Sequence, residues 1–216
     1  MEKQLSQVKS TLLEMGGGVE KALGLLADAF GTNDQKVYDE VRTIENGINA
    51  LHKEVDLLCL QILAMQSPRA KDLRFILSCI KINTDLERMG DQCVNISHTS
   101  KDYTTRAGLE EMNSVLTMAK KVRSMLRRSL DCFVANQLDD AQEILTLDDE
   151  IDEFKNQIFK DMMQVMKTNS DKVAEALDLI LIARNLERIA DHCTNIAEDV
   201  IFSLTGDDVR HGGPGA

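Results

Sequence analysis

Tryptophan is absent from the 216 residues, proline occurs twice, and aromatic residues make up 4% of the chain. An all-β sandwich or barrel leans on aromatic and β-branched strands with frequent turn residues, so that class is excluded. No run approaches the ~18 apolar residues that span a bilayer, and Met1-Glu2-Lys3-Gln4 has neither the basic start nor the apolar run of a secretory leader. The five cysteines, Cys59, Cys79, Cys93, Cys132 and Cys193, are odd in number and never closer than 14 residues. That spacing fits neither a disulfide framework nor a C-x-x-C zinc ribbon, and they read as reduced core thiols of a cytoplasmic protein. Positive charge is scarce as well: 25 basic against 36 acidic residues leave a net charge of −11. A phosphate backbone calls for a concentrated positive field, so nucleic acid is not an expected partner. What the chain does have is a 43% apolar content, enough for a sizeable core, at helical spacing.

Periodicity and N-cap chemistry divide the chain into long helices. The first runs from Glu2 to Phe30, and Thr32-Asn33-Asp34-Gln35 reads as a capping box opening the second, which ends near Met65. Ser67-Pro68 reads as a cap followed by proline at the first helical position of a third helix, ending near Asp102. A polar linker follows from Tyr103 to Gly108. A fourth helix then reaches Val134, a fifth starts at an Asn136 cap and reaches Lys167, and a sixth runs from Ser170 to Leu204, where Gly206 stops it.

The second half repeats the first. A shift of 103 aligns Met15 with Met118, Val19 with Val122, Leu23 with Leu126, Phe30 with Phe133 and Ile48 with Ile151; beyond the shorter second loop the shift becomes 100. There Ile82 to Ile96 matches Ile182 to Ile196 at eight of fifteen positions. Amphipathic helices share Leu and Ile by periodicity alone, but not a Glu, Arg, Asp, Cys and Asn in register. The fold expected is all-α, two tandem antiparallel three-helix bundles, over residues 1–103 and 108–205 with a disordered tail at 206–216. Gly16-Gly17-Gly18 reads as a break or a close helix contact, since a phosphate loop needs a preceding strand.

Acidic pairs at i, i+4 number six, no more than chance placement of 36 acids gives, so position must decide which matter. At 100° per residue, Phe75, Cys79, Ile82, Leu86, Met89, Cys93 and Ile96 form the core stripe of the third helix, and Lys81, Asp85, Arg88 and Gln92 fall on a polar face. Glu87 and Asp91 instead line up with Leu73, Ile76, Ile80 and Val94, and Glu187 and Asp191 with Val173, Ala176 and Ile180. Carboxylates in an apolar stripe are at least half removed from water and call for a compensating cation. On the second helix Glu45 and Asn49 occupy the slots that Asp148 and Asp152 occupy on the fifth. Oxygen-only donors suit Mg²⁺, Ca²⁺, Mn²⁺ or iron better than structural Zn²⁺. The alternative is ion pairing, Arg88 with Asp91 and Arg184 with Glu187. His192 reads as a solvated helix residue, and the cluster Lys120, Lys121, Arg123, Arg127 and Arg128 as a solvated face or a dock for an acidic partner.

Asp85-Leu86-Glu87-Arg88-Met89-Gly90-Asp91-Gln92-Cys93 and Leu186-Glu187-Arg188-Ile189-Ala190-Asp191-His192-Cys193, with Pro68-Arg69-Ala70-Lys71-Asp72-Leu73-Arg74, resemble the twin signatures of the PhoU family of bacterial phosphate uptake. The resemblance covers residues 1–205. It implies two three-helix bundles related by pseudo-twofold symmetry and metal clusters on acidic x-x-x-Asp motifs. The ligands would be Glu45, Glu87 and Asp91 in one copy and Asp148, Asp152, Glu187 and Asp191 in the other, with Asn49 a neutral departure that weakens the first site. It also implies a cytoplasmic, non-catalytic, commonly dimeric regulator. Such a protein contacts the phosphate ABC transporter, through its ATPase subunit, and a membrane sensor histidine kinase, and restrains the starvation response when phosphate is plentiful. The same carboxylates leave two further readings open, a multinuclear metal hydrolase or oxidase and a plain helical scaffold.

Overall fold

A computed structural model describes residues 1–30, 32, 34–106, 109 and 112–209, the side chain of Gln35 excepted. Among them lie six α-helices: α1 (Glu2–Ala29), α2 (Gln35–Met65), α3 (Ala70–Thr104), α4 (Met112–Ala135), α5 (Leu138–Thr168) and α6 (Val173–Thr205). They form two antiparallel three-helix bundles, α1–α3 and α4–α6. The helix bodies follow the apolar spacing. On α1, Val8, Leu12, Met15, Val19, Leu23 and Leu26 are all buried, at intervals of three and four that put them on one face.

The ends depart from the expected caps. Asp34, not Thr32, caps α2, its carboxylate accepting from Lys36 N at 3.0 Å. Thr32 Oγ1 turns back to donate to the Ala29 carbonyl at the end of α1 (2.7 Å). Pro68 stays outside α3, which opens at Arg69, whose N–H donates to Asp72 at 3.4 Å. Asn136 adopts φ 52°, a left-handed conformation that keeps it out of the helix, so Gln137 becomes the cap of α5. A 3-10 turn, Ser170–Lys172, precedes α6, with Asn169 accepting from Asp171 N. Gly206 does end α6, at φ 87°, its N–H donating to the Phe202 carbonyl. In the expected tail, Val209 packs half-buried against the core and 210–216 lie outside the described residues.

Tyr103 is not linker. It sits in the last turn of α3, 1% exposed, stacked on Phe30 at 5.8 Å between ring centroids, and its hydroxyl accepts from Leu109 N at 2.7 Å. A residue that both fills the core and ties down the connection continues the helix past the polar sequence around it. Ala107 and Gly108 of that linker lie outside the described residues.

The repeat is legible in the packing. Met15 and Met118, Val19 and Val122, Leu23 and Leu126, Ile48 and Ile151, Leu86 and Leu186, and Cys93 and Cys193 are all buried. The most extensive helix pairing is α3 against α6, with α1 and α4 also in contact, while α2 and α5 lie on the outside. One apolar cluster runs through both halves. The Gly triplet causes no break: a Cβ on Gly16 would meet Leu130 and one on Gly18 would meet Ile48, whereas Gly17 faces open space. All five cysteines are free and buried, and burial pushes their thiols up, to about 11 at Cys59 and Cys132 and about 12 at Cys93. Such thiols hold almost no thiolate at neutral pH.

Candidate metal centre

The second repeat gathers its four acids at the α5–α6 contact. Asp148 and Asp152 stand one turn apart on α5, Glu187 and Asp191 one turn apart on α6. Asp148 is pushed up to about 6, first by burial and then by the charges of Asp191, Asp152, Glu187 and Asp149. Asp191 is raised by partial desolvation at the helix contact, then by Glu187 and Asp152, with His192 and Lys155 opposing. Burial leads both shifts, and the repulsion among the acids adds to it.

One cation is present. Lys155 Nζ lies 2.7 Å from Asp152 Oδ1 and 2.8 Å from Glu187 Oε1, tying α5 to α6. Those two hydrogen bonds raise the Lys155 pKa despite its partial burial. The expected arginine pairs do not form: neither Arg88 with Asp91 nor Arg184 with Glu187 comes within ion-pair distance among the described residues. For Glu187 the charge comes instead from Lys155 of α5, which reaches across the α5–α6 contact, whereas Arg184 is exposed.

The first repeat is poorer in charge. Asn49 Nδ2 donates to Glu45 Oε1, so the amide partners the acid one turn before it. The Glu45 stem lies against α3 at Gly90, where a Cβ would meet Glu45 Cγ at 3.9 Å and Ile48 Cδ1 at 3.3 Å. Gly90 sits between Glu87 and Asp91 in sequence, and the tight approach its missing Cβ permits is that of Ile48, with Glu45 at ordinary contact distance. In the second repeat Ala190 takes the place of Gly90 and the shorter Asp148 that of Glu45. Glu87 and Glu187 are half-buried, but Asp91 and Asp191 are exposed, contrary to the expectation from the stripe. That stripe follows the outer edge of the helix contact, where Leu73 itself is 40% exposed.

The donor chemistry fits a hard cation: carboxylates and an amide oxygen, with a lysine ammonium already standing among the acids of the second set. Among the described residues, no three His, Cys, Asp or Glu side chains are drawn together closely enough to hold an ion as they stand. Coordination therefore requires the acids to turn inward.

A second polar cluster was missed from sequence. Asp85, placed on the polar face of α3, is 7% exposed because that face is where α6 packs. His192 is largely covered rather than solvated: its Nδ1 lies 2.8 Å from Asp85 Oδ1, and Asn195 Nδ2 donates to the same oxygen at 3.1 Å. Alongside, Ser78 Oγ donates to the Asp199 carbonyl at 2.8 Å and Lys81 Nζ lies 3.3 Å from the Asp199 carboxylate. A polar residue of α3 whose repeat partner differs in type was the available signal. The basic cluster on α4 is largely neutralised within the chain, Lys121 by Glu150, Arg128 by Glu143 and Arg123 by Glu20.

A tandem duplication of a three-helix unit, each copy presenting acids on its second and third helices, defines a class of all-helical, internally repeated protein with paired oxygen-donor surfaces. The PhoU domain model matches the chain twice, over residues 12–99 and 115–200. The chain belongs to the PhoU family. It is 32% identical over 209 residues to the phosphate-specific transport system accessory protein PhoU homolog of Clostridium acetobutylicum, covering 96% of this chain and 95% of that one. It is 33% identical over 212 residues to the homolog of Pseudomonas aeruginosa, covering 96% and 86%. In three dimensions it matches the crystal structure of PhoU from P. aeruginosa with a TM-score of 0.91, at 30% identity and coverage of 95% and 99%. The phosphate transport system regulatory protein PhoU from Streptococcus pneumoniae matches with a TM-score of 0.88, at 26% identity and coverage of 96% and 98%.

Proposed function

We propose that this chain is a cytoplasmic accessory regulator of phosphate uptake. It contacts the ATPase subunit of a phosphate ABC transporter and a sensor histidine kinase, holds the starvation response off when phosphate is plentiful, and works as a homodimer without catalysis. The observation that supports this reading most is full-length similarity, helix for helix, to proteins named as phosphate-specific transport system accessory proteins. That no helix among the described residues is long and apolar enough to cross a membrane is consistent with reaching the membrane through partners. Divalent metal, iron, Mn²⁺, Mg²⁺ or Ca²⁺, binds at Glu45, Asn49, Glu87 and Asp91 and at Asp148, Asp152, Glu187 and Asp191. Four acids on the facing turns of α5 and α6 support this part: Asp148 is raised first by burial and then by the charges of Asp191, Asp152, Glu187 and Asp149, a repulsion that a cation would relieve.

Deleting the gene tests the regulatory role. Alkaline phosphatase should rise in phosphate-rich medium and return when the gene is restored; an unchanged level counts against the proposal. A panel of phosphoesters should show no metal-dependent turnover, and turnover abolished by Glu187→Gln would favour the hydrolase instead.

A further inference from the structure

We propose that Lys155 is a resident counter-cation which a metal ion must displace, so that the second carboxylate set takes up metal by exchange for an ammonium while the first takes it up without one. This inference rests on the proposal that the two sets bind metal. Lys155 Nζ holds one oxygen each of Asp152 and Glu187, two of the four acids, at 2.7 and 2.8 Å. An ion bridging α5 and α6 would draw on the same two carboxylates, and a second positive charge within ~4 Å of the ammonium is strongly repelled at an interfacial dielectric. Ammonium and metal are therefore alternatives.

The displaced side chain has somewhere to go. A hollow of about 330 Å³ borders the pair, lined by Lys155 itself, Asn156, Phe159, Ile180, Arg184 and Glu187. Lys155 is partly exposed, with 28% of its side-chain surface open to solvent, so the swing moves no core residue.

Among the described residues the first repeat has no such device. The register shift of 103 puts His52 at the position of Lys155. His52 turns to the next turn of its own helix, with Nε2 3.8 Å from Asp56 Oδ2, and its carbonyl accepts from Asn83. Three carboxylates with an amide, and four carboxylates with an ammonium, both sum to −3. Duplication has thus left two sets of equal net charge, of which one carries a built-in competitor.

The test uses the full chain and Mn²⁺ alone, in two readouts. First, Mn²⁺ is titrated calorimetrically into a Glu87→Gln/Asp91→Asn protein, which isolates the second set, with and without Lys155→Met, which keeps the apolar stem. At least tenfold tighter binding on loss of the ammonium is expected, and binding seen only in Lys155→Met supports the proposal equally. Equal or weaker binding overturns it while leaving the metal reading intact. Second, and with no substitution, Lys155 acylation by an amine-reactive reagent is followed by mass spectrometry. Saturating Mn²⁺ should raise Lys155 labelling several-fold with other lysines unchanged; bound Mn²⁺ with unchanged labelling overturns the exchange. If only the unsubstituted chain binds Mn²⁺, metal belongs to the first set and Lys155 is a fixed tie. If no protein binds it, the metal reading fails, and the exchange with it.

Discussion

The two halves superimpose in sequence and packing, yet they solve the same electrostatic problem differently. In the first, Asn49 stands where the second has Asp152, and its amide donates to Glu45; in the second, all four positions are acids and Lys155 lies between two of them. The helix contact differs to match, a long Glu45 against Gly90 in one, a short Asp148 and an Ala190 at the same register in the other. Residues identical in the two halves include apolar ones that make the fold, such as Leu86/Leu186 and Cys93/Cys193, and also the charged Glu87/Glu187, Arg88/Arg188 and Asp91/Asp191 of the shared signature. The differences that bear on the acidic sets fall at Asn49/Asp152 and His52/Lys155, where charge can be balanced in more than one way.

The largest expected effect removes both sites at once. The double variant Glu87→Gln/Glu187→Gln keeps shape and deletes one charge per half, and elemental analysis of chelator-free protein should show stoichiometric metal in the parent and none in the variant. The inverse, Asn49→Asp, gives the first half four acids and no lysine; it should take up metal more tightly than the parent and, in chelator, melt at a lower temperature.

Next comes the seam between the halves. Asp85 pairs with His192 and Asn195, but the residues at the mirrored positions do not pair: Asn185 donates to the Leu181 carbonyl and the buried Gln92 Oε1 has no partner among the described residues. Asp85→Ala strands two covered polar groups and should cost about 2–3 kcal/mol in denaturant unfolding; a change below half that would mean the seam is held by α3–α6 apolar packing alone.

The pH dependence should also separate the halves. With its folded pKa raised to about 6 against 3.8 for the ordinary group, Asp148 binds a proton more tightly folded than unfolded. Its contribution to stability is greatest below pH 3.8 and falls as pH rises towards and past 6. Asp148→Asn should therefore raise the melting temperature of chelator-treated protein at about pH 7.5, with the gain shrinking towards about pH 4. A gain that is the same at both pH values would place the effect outside ionisation.

The smallest effect lies in the Gly triplet, which the second half replaces with Ala119-Lys120-Lys121. Gly17→Ala meets nothing and should stabilise by about 0.5–1 kcal/mol, the helix-propensity difference. Gly16→Ala must push aside Leu130 and should gain less or lose stability in the same melt.

Helix bodies, the duplication and the buried cysteines were readable from sequence because each rests on a local period or an internal comparison. Helix starts were not. Thr32, Ser67 and Asn136 all have capping chemistry, and which polar residue caps depends on where the incoming chain already points. Glu45, Glu87, Asp148 and Glu187 stand out in the sequence because their repeat partners fall in register. Lys155 went unseen, since its partner across the repeat is His52 and its role lies on a neighbouring helix. Asp85 and His192 were misjudged because a helix with two packed faces has no empty side to call polar.

The continuous core has a consequence for how such a chain could arise. With α3 seated on α6 and a single apolar cluster shared between halves, neither repeat has a complete interior alone. A single repeat standing alone would leave open to water the face of its third helix that now meets the other half, so a chain of this kind needs both copies, or a twin of one, to close its interior. Because the two copies share one chain, their facing surfaces need not be identical, and they are not: one half carries Lys155 and Asp152 where the other carries His52 and Asn49.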